Sequence, residues 1–188
     1  VATAANGGSD SNNGSSTNPF LTLAKAITEV KANGRIHIAN GEYTGTSNRG
    51  LNIPNNMTIL RDTWIPGVGD SVIINAENKD CIIHNGYTLI LQNLVLVNGN
   101  NSGDWGYGGA IQNWNNLTVE NCTFTGNIAN YGGAIANLFW GDVRLNYNGT
   151  YSNSWELSTA ITSTITGCTF TGNTATFDGG AISNYIYS

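Results

Sequence analysis

Glycoside cleavage by acid–base chemistry needs two carboxylates facing each other across the bond. The chain has twelve acids, Asp10, Glu29, Glu42, Asp62, Asp70, Glu77, Asp80, Asp104, Glu120, Asp142, Glu156 and Asp178, and no two are adjacent. An eliminating enzyme would set a basic side chain beside carboxylate-bound calcium. Between Arg61 and Arg144 the basic side chains are Lys79 and His84 alone. His37 and His84 fall on alternating stretches and read as surface or structural residues. No catalytic residues are assigned and no enzymatic activity is expected.

Other chemistry is equally thin. Ser9-Asp10-Ser11-Asn12 crowds oxygen atoms, but one carboxylate is few for a calcium cage, so a polar turn before a helix is expected. Gly106–Gly109 has neither the lysine nor the following helix of a phosphate loop. Cys81, Cys122 and Cys168 lack the close pairing of a zinc site and read as buried thiols. No metal and no cofactor is expected. Aromatic residues are the stronger signal. Trp105, Tyr107, Trp114, Tyr131, Trp140, Tyr147, Tyr151 and Trp155 lie among Asn, Gly and Ser in turns or in an inserted segment. Such rings offer flat amphipathic surfaces to sugars or partner proteins, and these eight are the candidate ligand-binding residues. Six sequons, at Asn13, Asn56, Asn100, Asn116, Asn121 and Asn148, are possible glycosylation sites.

The elements that position these rings follow from a repeat. Gly-Gly-Ala-Ile occurs at Gly108–Ile111, Gly132–Ile135 and Gly179–Ile182, each with Asn two residues later: Asn113, Asn137 and Asn184. The first two copies are 24 residues apart, and the third lies 47 further on, close to twice that spacing. Cys-Thr-Phe-Thr-Gly-Asn appears at Cys122–Asn127 and Cys168–Asn173, and Asn93–Val97 fits the same pattern. Leu94, Cys122 and Cys168 then correspond, as do Leu96, Phe124 and Phe170. Leu117, Val119, Cys122 and Phe124 alternate with polar residues, the period of short strands with one buried face. Asn93, Asn121 and Gly167 precede the equivalent strands, where a tight corner favours residues tolerant of left-handed backbone angles.

About three short strands per coil of roughly 24 residues, with no intervening helical pattern, predict coils stacked ~4.8 Å apart with side chains in ladders. The fold expected is all-β, a right-handed parallel β-helix, in one domain over 1–188. Residues 1–34 should form the amino-terminal segment and an amphipathic capping helix opened by Asn18 and Pro19 and ended at Asn33-Gly34. Phe20, Leu23, Ala24, Ile27 and Val30 are its apolar stripe. Residues 35–188 supply the coils, with a long insertion at about 139–160: 34 residues separate Ala134 from Cys168, against 12 from Ala110 to Cys122. No closing cap follows the last repeat and Val1 is not an initiator Met, so a piece of a longer chain, or a partner over that end, is expected.

Composition supports a polar, turn-rich protein. About two residues in five are Asn, Gly or Thr, and charged residues make up 10%. Seven Lys plus Arg exclude a charged helical bundle, and the net charge of −5 offers no basic face for nucleic acid.

Gly8–Gly14, followed by Asn18-Pro19-Phe20-Leu21-Thr22-Leu23 and Gly41-Glu42-Tyr43, resembles the opening of many secreted right-handed β-helix proteins, polysaccharide lyases and surface proteins among them. With the two repeats, the chain is similar to the adhesin-like surface proteins of methane-producing archaea and to bacterial autotransporter-type proteins. The resemblance implies display at the cell surface, attachment to glycans or proteins of other cells, and no catalytic residues. Two alternatives are carried with it: a structural subunit of a surface fibre or cell envelope assembling through β-helix ends, and a polysaccharide lyase or glycoside hydrolase.

Overall fold

The computed structural model describes residues 1–62, 71–140 and 162–187. Its strands form four sheets, and every pairing is parallel. Three sheets are the walls of a coil. The first wall stacks Gly34–Ile38, Met57–Arg61, Leu89–Gln92, Leu117–Glu120 and Ser163–Thr166. The second stacks Gly41–Tyr43, Val72–Asn75, Val95–Val97, Thr123–Thr125 and Thr169–Thr171. The third stacks Leu51–Ile53, Ile83–Asn85, Ile111–Asn113, Ile135–Trp140 and Ile182–Tyr187. A short fourth sheet, Asn100–Asn101, Ile128–Tyr131 and Thr174–Asp178, comes between second and third walls, so the later coils hold four strands rather than three. This is the parallel β-helix expected from the repeats.

Alternation turns directly into a core. Leu117, Val119, Cys122 and Phe124 are buried, as are Leu89, Leu91, Leu94 and Leu96 one coil earlier. Phe124 is in register with Leu96 and Phe170, and its ring stacks on that of Phe170 at 4.9 Å and 5°. The corner residues behave as their types demand: Asn93, Asn121 and Gly167 have φ of 59°, 52° and 65°. A polar column runs beside the apolar ones. Asn85 Nδ2 donates to Asn113 Oδ1 (2.8 Å), Asn113 to Asn137 (2.9 Å) and Asn137 to Asn184 (2.9 Å). In this column Asn85 and Asn113 are 28 residues apart, Asn113 and Asn137 24, and Asn137 and Asn184 47. The 47-residue spacing is therefore one coil with an insertion, not two coils, because Ile135–Trp140 pairs directly with Ile182–Tyr187.

The Gly-Gly-Ala-Ile motif has a steric cause. Its first glycine, Gly108, Gly132 or Gly179, has φ of 64–66°. Its second meets the neighbouring coil: a Cβ on Gly133 would lie 2.2 Å from the Gly180 carbonyl oxygen and 2.6 Å from the Thr174 nitrogen. Its alanine and isoleucine are buried in the first two copies. Gly133→Ala is expected to lower unfolding free energy by about 1–3 kcal/mol through overpacking against backbone. Gly103→Ala, where a Cβ meets nothing within 4 Å, should leave the chemical denaturation midpoint unchanged.

The amino-terminal cap is present but shorter than expected. The α-helix is Leu23–Glu29 and its N-cap is Thr22, whose side chain accepts from the Lys25 amide; Asn18 and Pro19 lie outside it. Asp10 explains the shift. Its carboxylate takes the Leu21 and Thr22 amides and the Thr22 hydroxyl, all at 2.9 Å, so these residues are held out of the helix. The Ser9–Asn12 turn is thereby a structural clasp. At the other boundary the helix caps at Val30, and Asn33 (φ 62°) turns the chain into the first wall. Leu23, Ala26 and Ile27 join the core, the Leu23 amide donates to buried Asn48, and Val1 hydrogen-bonds across the edge of Gly34–Ile38. The first coil is thus covered. In the last described coil Ile165, Cys168, Phe170 and Ile182 are half-buried, whereas Val119, Cys122, Phe124 and Ile135 one rung earlier are at most 1% exposed.

Candidate functional site

The candidate aromatics separate into distinct groups. Tyr107 is buried, and its ring stacks on Tyr131 at 5.0 Å and 19° through a one-rung parallel bridge. Tyr185 tilts against both, and Phe177 against Tyr131. The expected stacking of Tyr107 on Tyr131 is present, but Tyr107 faces other rings rather than solvent, because this stack closes over Ala136 and Leu138 as a second small core. Trp105 is 71% exposed at a loop tip with φ 58°. Trp140 is in register with Tyr187 at the end of the third wall. Tyr147, Tyr151, Trp155 and most of the 139–160 insertion lie outside the described residues, as does Asn148. Of the other sequons, Asn13, Asn56 and Asn121 are exposed, and Asn100 and Asn116 are half-buried.

Trp114 leads to a polar groove. Half-buried beside the aromatic stack, it lines a groove of about 600 Å³ on the outer face of the third wall. The floor is a column of outward side chains from three consecutive coils, Asn52 opposite His84 and His84 opposite Gln112. His84 Nδ1 donates to Gln112 Oε1 at 2.8 Å, which leaves His84 Nε2 and the Gln112 amide nitrogen for a ligand. The Asn52 amide has no partner among the described residues. Asp80 stands on the rim, one oxygen held by the Cys81 amide at 2.8 Å. Among the described residues no Lys or Arg lines this groove. Imidazole, two amides, one carboxylate and an indole can hydrogen-bond and stack on a polyhydroxylated ligand.

Asn52, His84, Gln112 and Asp80 were not singled out by spacing. The available signal was the shared Ile-x-Asn of Ile83-His84-Asn85 and Ile111-Gln112-Asn113, whose middle residue must point outward. His37 lies elsewhere, its Nδ1 3.1 Å from Asp62 Oδ2. Among the described residues no three His, Cys, Asp or Glu side chains converge as a metal site, and no helix is long and apolar enough to cross a membrane.

The thiols belong to the core. Burial pushes Cys81 up to about 12, and Cys122 likewise. Both therefore stay protonated in the fold while an unfolded thiol ionises near 9.0. The stability they contribute is full below that value and falls as pH rises from 9.0 towards 12. Native maleimide labelling followed by mass spectrometry should modify the half-buried Cys168 first, with all three reacting in denaturant. Rapid native labelling of Cys81 would contradict this packing.

Ladders, corners and an outward groove define a parallel β-helix of the solenoid class. Over residues 6–186 the sequence matches the model of a family described as "Protein of unknown function (DUF1565)", and the chain belongs to that family. No curated protein and no solved structure gives a match.

Proposed function

We propose that this chain is a non-catalytic, adhesin-like segment of an extracellular surface protein, a rigid β-helix that attaches to glycans or proteins of other cells. The observation that carries this reading is the groove of Asn52, His84, Gln112 and Trp114. Its floor is held in register by backbone ladders, so a ligand meets preorganised groups and little ordering opposes binding. Many copies on one surface would add weak contacts by multivalency. A hydrolase has less support, since Asp80 is the one carboxylate among the described residues of the groove and hydrolysis takes two.

The test is attachment of beads coated with the protein to cells and to a glycan array. Trp114→Ala and Gln112→Ala should each abolish most attachment, while Thr118→Ala on the outside of the first wall should not. Deletion of residues 139–160 measures the insertion's share. Undiminished attachment by Trp114→Ala would remove the groove from this reading.

A further inference from the structure

We infer that the groove of the third wall takes an uncharged oligosaccharide laid along the stacking axis and discriminates against uronate-bearing chains. The inference rests on the groove being the attachment site proposed above and specifies its ligand. Three observations carry it.

The first is spacing. Asn52, His84 and Gln112 come from successive coils ~4.8 Å apart, close to the length of one pyranose unit. A linear glycan parallel to the axis would place one residue over each rung. The second is the donor set. The free groups are the Asn52 and Gln112 amides and His84 Nε2, which suit hydroxyls as donors or acceptors, and Trp114, packed against the aromatic stack, lines the end of the row.

The third is charge. Asp80 is fixed at the rim by the Cys81 amide. The basic residues nearest in sequence to the groove-lining positions are Arg49, beside Gly50, and Lys79, beside Asp80. Both are engaged by Glu77. A uronate carboxylate entering here meets a like charge and no cation from the described lining residues. A chain bearing hydroxyls alone meets no such opposition.

Isothermal titration of the 1–188 chain with cellohexaose, mannohexaose and hexagalacturonate tests this, with indole fluorescence as a second readout. At least one uncharged hexasaccharide should bind about tenfold or more tighter than hexagalacturonate. Trp114→Ala and Gln112→Ala should abolish that binding, and Asp80→Asn should narrow the discrimination. Equal or tighter binding of hexagalacturonate would overturn the inference and leave glycan attachment standing. If no hexasaccharide binds while Trp114→Ala still abolishes cell attachment, the inference falls and the attachment reading survives. If neither binding nor attachment depends on Trp114, both fall.

Discussion

Phe124→Ala is expected to lower the unfolding free energy by about 3–5 kcal/mol, the range for deleting a buried aromatic ring and leaving its cavity. Phe124 is fully buried on the fourth of five described rungs, between Leu96 above and Phe170 below in the same column. Backbone ladders on both sides hold the coils at fixed separation, so the wall cannot collapse into the space. Two comparisons sharpen the test. Phe124→Leu restores the residue type found one rung away and should recover more than half of the loss. Phe170→Ala removes the same ring from the half-covered last coil and should cost clearly less. Urea denaturation followed by circular dichroism measures all three. Equal losses at Phe124 and Phe170 would mean that the interior column is not the core.

The second large effect is expected at Asn113. Asn113→Ala should cost about 2–4 kcal/mol, from breaking a buried chain of amides and orphaning groups on both sides. Asn137 loses its donor, the Asn115 amide loses its acceptor, and the Asn85 amide nitrogen keeps only its bonds to the Tyr87 and Asn116 carbonyls. Asn113→Asp is close to isosteric, yet turns a donor into an oxygen that faces Asn137 Oδ1. At neutral pH it should be less stable than Asn113→Ala. It should recover on acidification towards about 3.9, since burial raises the folded carboxyl above its unfolded value and the neutral form can donate again. A change of similar size at Asn184, where the column ends and the side chain is exposed, would contradict the ladder's contribution.

Much of the scaffold was legible because a β-helix is a translational repeat. Leu94, Cys122 and Cys168 fill one slot on successive coils, so the same constraint is written three times and a single chain displays it. Asn at Asn93 and Asn121 and Gly at Gly167 marked the left-handed corner for the same reason, and Gly-Gly-Ala-Ile recorded a backbone approach too close for any Cβ. The 47-residue spacing misled because strand register is set by the residues that pair, while a loop between them lengthens at small entropic cost. The helix start misled because Asp10, eleven residues before Leu21, competes for the amides that local preference would give to a cap.

Composition and repeat by themselves determined the fold class, the interior columns and the asparagine ladder, all of which depend on residues recurring along one direction. Only the tertiary structure decided which polar residues share the groove and which aromatics face inward. Asn52, His84 and Gln112 come together across coils of unequal length, 32 and 28 residues between their equivalents, so no constant period links them. Whether a ring such as Tyr107 or Trp114 is covered depends on what the neighbouring coil places beside it.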